Sequence, residues 1–349
     1  MTSATGLITP AEETSPDAAS RHGAQAEMAQ ASVLQRWAWG AFKERHGWNV
    51  ARETGDGFAV QMLLKRKFGV TIGYVPRGPA VNWRDADAVA ACLGALDALC
   101  EREGVALALI EPDAMFPTDF DSRRYNLSPS HLSVQPLRTI IVRCDRDDDA
   151  LLAAMKQKTR YNVRLAAKRG VTVRQGGAGH LPAFWSLLRT TAARDAFGVH
   201  TLNYYADLLR FFPPPDEGAL LCAEYGGEVV AAAILLRGGP TAIYLAGASS
   251  DTHREHMPTY ALQYAALQWA RDVGCTRYDL WGIPPTDTPP DAAQGERRNV
   301  RDGLWGVYRF KQGFGGEVVS YPGIFVRRYR PVIGRLALRA INRQRGVLG

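Results

Sequence analysis

Nowhere in the 349 residues does an apolar run approach the roughly 20 positions that a helix needs to cross a bilayer. The start of the chain also lacks the basic cluster and apolar stretch of a secretory signal. Cysteine is scarce. Cys92, Cys100, Cys144, Cys222 and Cys275 are odd in number, scattered and mostly in apolar contexts. Without a CxxC pair or a Cys/His cluster at zinc spacing, a disulfide framework and a zinc module are excluded. Buried thiols in a reducing cytoplasm are expected instead. No Gly-x-Ser-x-Gly elbow or Cys/His signature is present, which argues against covalent catalysis. His253 and His256 lie three apart in a loop with no evident third ligand, so no metal is expected there.

Acidic residues are missing from whole stretches. None occurs from Ala153 to Arg174, where Lys156, Arg160, Arg164 and Lys168 recur every four residues and would form one basic stripe on a helix. The stripe could be a track for nucleic-acid or pyrophosphate oxygens, or simply a solvated face. None occurs from Arg327 to Gly349 either, a segment with seven arginines (Arg327, Arg328, Arg330, Arg335, Arg339, Arg343, Arg345). Residues 1–31 run the other way: Glu12, Glu13, Asp17 and Glu27 against Arg21 give −3. With no sustained apolar period, that stretch reads as a disordered tail. Since the whole chain carries +7, the remainder carries 7 − (−3) = +10. Such a surplus suits a polyanionic partner: nucleic acid, a phosphorylated substrate or an anionic membrane surface.

The same order of elements occurs twice. Val60–Phe68 and Val70–Tyr74 read as strands after the Gly55-Asp56-Gly57 turn, followed by a helix from about Asp85 to Glu103 and a strand Val105–Ile110. In the second half, Leu220–Glu224 and Val229–Leu236 flank Gly226-Gly227. Thr241–Leu245, a helix from about Thr259 to Val273 and a strand Arg277–Ile283 follow. Asp56 to Gly226 and Tyr74 to Tyr244 are both 170 positions apart, the mark of a structural repeat. A hairpin, third strand, helix and fourth strand match the centre of the GNAT acyltransferase fold. The expected fold class is therefore α/β, with two GNAT-like domains of mixed sheet in tandem. Residues 32–147 plus 322–349 would form a discontinuous first domain and 148–321 the second. A helix Leu151–Arg169 would enter the second domain, and a strand Val318–Arg328 would return to the first. Neither half has the glycine spacing of an acyl-CoA pyrophosphate loop. The equivalent stretches begin at Pro79 and Asp251.

Several blocks resemble the Fem-type aminoacyltransferases. They are Leu34-Gln35-Arg36-Trp37-Ala38-Trp39-Gly40 with Lys43 and Gly47-Trp48; Tyr74-Val75-Pro76-Arg77-Gly78-Pro79; residues 158–171 around Lys158, Arg160, Tyr161 and Ala166; Tyr278-Asp279 with Trp281-Gly282; and Tyr308 with Phe310-Lys311, Gly313 and Gly315. Their order and spacing span nearly the whole chain after the tail. No extra helical pair of about 50 residues interrupts the second half, so the long coiled-coil arm of some members is not expected.

The resemblance implies transfer of an amino acid from aminoacyl-tRNA to the stem-peptide amine of a peptidoglycan precursor, either UDP-MurNAc-pentapeptide or lipid II, with no cofactor. It implies that Lys311 meets the developing oxyanion and that Phe310 shapes the pocket beside it. Read without the block, Lys311 is an ordinary surface lysine and Phe310 a core residue. Lys43 matches a lysine used for precursor phosphates. Tyr204 and Tyr244 resemble substrate-binding tyrosines, and Arg77 is a further substrate contact. One departure is visible: where the family pattern has an arginine four residues before the tyrosine, this chain has His200, which cannot make a bidentate phosphate contact. Two other readings stay open, an N-acyltransferase using acyl-CoA or another activated donor, and a non-catalytic basic RNA-binding module. A cytoplasmic monomer is expected. Its C-terminal arginine segment would either rest weakly on the inner membrane face or dock on the first domain.

Overall fold

The computed structural model describes residues 31–67, 69–195, 198–286 and 301–343. The expected tail, apart from Ala31, lies outside the described residues, as do Arg345 and the neighbouring C-terminal positions. Chain order begins α1 (Trp37–Arg45), β1 (Asn49–Gly55), β2 (Phe58–Lys67), β3 (Val70–Pro76), β4 (Ala80–Val81), α2 (Ala86–Arg102), β5 (Val105–Glu111), β6 (Ser128–Pro129) and β7 (Arg138–Arg143). It continues α3 (Asp148–Ala154), α4 (Gln157–Lys168), β8 (Thr172–Gly176), α5 (Leu181–Asp195), α6 (Leu202–Phe211), β9 (Gly218–Tyr225), β10 (Glu228–Gly238) and β11 (Thr241–Ser249). The last elements are α7 (Pro258–Asp272), β12 (Arg277–Asp279), α8 (Arg301–Gln312), β13 (Glu317–Ser320), β14 (Phe325–Arg328) and α9 (Pro331–Arg343).

Two sheets result. The first runs β1-β2-β3-β5-β14-β6, with β4 on β2, and the second β13-β7-β12-β11-β10-β9-β8. The repeat in the sequence is a repeat in space. In each sheet an antiparallel hairpin leads through a helix to a strand parallel to the hairpin's second member: β3 to β5 by α2, and β11 to β12 by α7. Local chemistry explains the crossover helices. Asp85 caps α2 by accepting from the Asp87 and Ala88 N–H groups, both at 3.1 Å. Val89, Cys92, Leu93, Leu96, Leu99 and Cys100 then recur at helical spacing and are all buried. All seven residues of β5 are buried, as a strand covered on both faces requires. Pro258 starts α7, where its missing N–H costs nothing. Among the described residues the longest helix has 17 residues, so no helical arm interrupts the second unit.

Four expectations change. The first unit's sheet gives way before residue 147, because β7 pairs with β12 and β13 in the second sheet. The expected strand Val318–Arg328 is two strands, β13 in the second sheet and β14 in the first, parted at Gly323 with φ 83°. The helix expected over Leu151–Arg169 breaks at Met155 and Lys156, whose extended backbone separates α3 from α4. The strand expected to reach Ile283 stops at Asp279, since Trp281 adopts a left-handed φ of 61°.

A strap joins the two units. Val33, Leu34, Trp39 and Phe42 bury themselves among Leu181, Phe184, Leu208, Leu220 and Ile234 of the second unit, although this stretch was expected to belong wholly to the first. Gln35 faces the other way and is fully buried. Its amide donates to Pro76 O at 2.8 Å and Gln61 O at 3.2 Å and accepts from Gln61 N–H at 3.0 Å. Gln61 in turn donates to Leu34 O and Arg36 O. Every polar group of this buried pair is thus engaged, as burial demands. The strap fits because glycine lies on either side: a Cβ on Gly78 would run into the Gln35 side chain, and one on Gly238 would stand 2.5 Å from Val33 N.

Gly238→Ala should therefore cost about 1–3 kcal/mol, the usual penalty of overpacking against backbone, in urea unfolding. Gly94→Ala, at an exposed α2 position with nothing within 4 Å, should instead stabilise by about 0.5–1 kcal/mol. Equal responses at the two sites would mean the strap is not tightly held.

Candidate active site

Lys311 lies in the last turn of α8 and is only 6% exposed. Its ammonium donates to the carbonyl oxygens of Gly282 at 2.8 Å and Trp281 at 3.0 Å. Asp279 explains why those carbonyls point inward. One carboxylate oxygen accepts from the Trp281 N–H at 2.7 Å and from the Thr139 hydroxyl; the other accepts from the Tyr321 hydroxyl at 3.2 Å. Pinning the Trp281 N–H holds the residue in its left-handed conformation, which a non-glycine residue adopts only when its surroundings compel it. β7, β12 and the residue that follows β13 thus meet on one carboxylate, and two carbonyls are aimed at one lysine.

Burial governs the electrostatics. It pulls Lys311 down to about 8, against the opposing pull of Asp279, and pushes the Asp279 carboxyl up against its hydrogen bonds and Arg77. With two of three ammonium protons on carbonyls, one donor remains. The Tyr244 ring lies on that lysine's flank, 5.9 Å from Nζ to centroid, and burial raises its hydroxyl to about 12. Tyr244 stands at a bulge between β10 and β11, where the register shifts by one residue.

Arg77 joins this group from the first unit. It is buried, stacks on Tyr321 with 3.3 Å from Cζ to the ring centroid, and donates from Nη2 to Pro136 O at 2.5 Å. Its Nε and Nη1 have no hydrogen-bond partner among the described residues. A cavity of about 100 Å³ opens there, bordered by Arg77, Asp113, Arg277, Asp279, Trp281 and Tyr321. Phe310 is half-buried, edge-on to Tyr260 and Phe314, and packs against the second unit's core.

Lys43, Tyr204 and His200 form a second group. The Lys43 ammonium stands 5.5 Å from the Trp39 ring and 5.8 Å from those of Trp48 and Tyr204. Burial, and then the charge of Lys65, lower it to about 8. Lys65 itself sits over Trp48 at 5.0 Å. His200 stacks on Tyr204 at 3.8 Å, and His46 leans on the same ring at 4.7 Å. Desolvation and then the charges of Lys43 and His46 keep His200 below the ordinary imidazole range. Of the adjacent tyrosines, Tyr205 is the core residue, packed on Phe184.

The basic stripe is partly as expected. Arg164 and Lys168 are exposed on α4, and Lys156 is exposed at its N-cap. Arg160 is half-buried and turned back toward the carbonyls of Leu152 and Ala153. The stripe begins beside the lysine helix, since Lys156 N–H donates to Gly313 O at 2.9 Å, two residues past Lys311.

At the turn before α7, Glu255 supplies the third potential ligand that the sequence reading did not find beside His253 and His256. The ligand atoms lie within 4.8 Å of one another, looser than the spacing of about 3.4 Å around a tetrahedral ion. The same turn precedes α7, where an acyl-CoA pyrophosphate loop would lie, and His256 there stacks on Tyr225 at 3.9 Å. Asp279 and Thr139 were missed as site residues. Asp279 was visible in its sequence block, but only folding pairs it with Thr139, 140 positions away.

Comparison with known proteins agrees with this architecture. The FemAB family matches over residues 133–225 and 215–337. The lipid II:glycine glycyltransferase of Staphylococcus aureus is 25% identical, covering 84% of this chain and 87% of the relative. The crystal structure of FemX superposes with a TM-score of 0.78 at 22% identity, over 90% of this chain and 97% of FemX. L-PGS from Bacillus licheniformis gives 0.53 at 13% identity, over 95% and 98%. The molecule thus shares the fold of FemX, with two mixed sheets in tandem. It belongs to the FemAB family.

If the Lys311 ammonium is the working form, kcat at saturating substrate should fall as pH rises through about 8, where the proton is lost. Asp279 raises the Lys311 pKa, so Asp279→Asn should move that limb to lower pH. An unmoved limb would remove Asp279 from the control of Lys311.

Proposed function

We propose that the protein transfers an amino acid from aminoacyl-tRNA to the stem-peptide amine of a peptidoglycan precursor. The observation that carries this reading is the buried Lys311 ammonium, fixed on two carbonyls with one donor left beside Tyr244. The neutral amine attacks the ester carbonyl carbon, a C–N bond forms, and the carbonyl electron pair moves onto oxygen. Lys311 donates to that oxyanion. Collapse breaks the C–O bond to the tRNA ribose, and the proton lost by the amine ends on the departing hydroxyl. The ester is already activated, so placement and oxyanion stabilisation supply the rate.

Lys43 and Lys65 favour an acceptor bearing phosphate. Burial and then the charge of Lys65 depress the Lys43 pKa, and a phosphate between the two ammonium groups around Trp48 would relieve their repulsion. His200 in place of an arginine leaves Lys43 as the principal point charge of this group. The exposed Arg164 and Lys168 offer a phosphate track for tRNA that starts next to the lysine helix.

Two experiments test the reading. Lys311→Met should lower kcat about 100- to 1000-fold while precursor affinity stays near wild type. Unchanged turnover in the folded variant would remove Lys311 from the mechanism. Arg164→Glu with Lys168→Glu should weaken charged-tRNA binding and flatten its log–log salt dependence by about one to two counterions. An identical slope in wild type and variant would place the tRNA elsewhere.

A further inference from the structure

The last helix, α9, is docked by one face only. Tyr329 and Arg330 N–H groups donate to Ala106 O at 3.1 and 3.2 Å, pinning the helix start to β5. Ile341 is buried, and Ala337 and Leu338 pack beside it on Leu107, Ile324 and Val326 of the first sheet. The opposite face remains bare. Val332 is 70% exposed and Leu336 59%, one turn apart on the same side, with Ile333 on their flank. Large apolar side chains at such exposure, grouped on one turn, mark a contact surface rather than scatter.

Charge surrounds this patch. Arg328, Arg330, Arg335 and Arg339 are all exposed. None has an acidic partner within ion-pair distance among the described residues. Beside the helix start lies a groove of about 610 Å³ lined by Arg327, Arg328 and Arg330 with Asp97 and Glu101. Arg327 is already committed to Asp97, at 2.6 Å from Nε. Counting the four free arginines against Glu101 leaves a local charge of 4 − 1 = +3. A bare apolar ridge inside a ring of arginines suits a surface that is apolar below and anionic above, which describes an anionic bilayer.

We propose that this face, Arg328–Arg330 with the outer side of α9, docks the enzyme on an anionic membrane surface. Val332, Ile333 and Leu336 enter the headgroup boundary while the arginines meet lipid phosphates. The proposal rests on the reading above in one respect: it implies that the acceptor is the lipid-linked form of the precursor. The arginines work best in concert, each worth up to about a fivefold gain in membrane affinity, fading with salt.

The test is flotation of the full-length protein with phosphatidylcholine vesicles, with and without phosphatidylglycerol, at low and high salt. The wild type should float only with anionic vesicles and less at high salt. Val332→Ser with Leu336→Ser, and separately Arg335→Gln with Arg339→Gln, should each lose at least about tenfold of that binding with unaltered thermal unfolding. Both variants should turn over a nucleotide-linked precursor like wild type yet lag on lipid-linked precursor in vesicles. Failure of the wild type to float, or equal flotation of both variants, overturns the membrane face. So does wild-type self-association that the variants abolish. Absence of transfer to either precursor would instead defeat the proposed reaction, leaving the flotation result to stand alone.

Discussion

The site depends on one buried carboxylate. Asp279 ends β12, and without partners its charge would be too costly to bury. It finds them in Thr139 of β7, the Tyr321 hydroxyl just past β13 and the Trp281 N–H of its own turn. That last bond turns the chain out of the sheet and brings the Trp281 and Gly282 carbonyls round to Lys311. A lysine so enclosed loses much of its preference for the proton.

The same carboxylate lies near the seam between units. Arg77 reaches Tyr321 from the first unit, so one tyrosine ring carries the arginine while its hydroxyl serves Asp279. The Gln35–Gln61 exchange holds the strap on the first unit as Val33, Leu34 and Phe42 grip the second. Relative placement of the Lys43 group and the Lys311 group therefore rests on this buried polar exchange together with the apolar grip of the strap. Tyr204 joins the Lys43 group through helix packing, since its helix α6 lies on α1, which carries Lys43.

Much of the fold was legible because it is local. Alternating strands, capped helices and glycine turns recur at a fixed offset of 170 positions, and each sheet repeats the pattern. The errors came where long-range pairing overrides local pattern. Residues 318–328 look like one strand, yet each end pairs in a different sheet, so the strand had to break. Val33 and Leu34 read as part of the first unit by sequence position alone; only packing shows them in the other core. In the site, Lys311 was found through its block, and its environment was not. The partners that set its charge lie 30 positions away at Trp281 and, through Asp279, 172 positions away at Thr139. Phe310 shares the block with Lys311, and its contacts with Tyr260 and Phe314 are likewise set by folding rather than by spacing.

The central claim is that a buried ammonium at Lys311 waits for negative charge to develop beside it. Titration of the lysine side-chain carbons by NMR tests this directly, with and without a tetrahedral phosphonate that imitates the aminoacyl-transfer intermediate. The account predicts a Lys311 midpoint of about 8 in the free enzyme that climbs when the anionic mimic binds. A midpoint at the ordinary lysine value, or one that the mimic leaves in place, would contradict it.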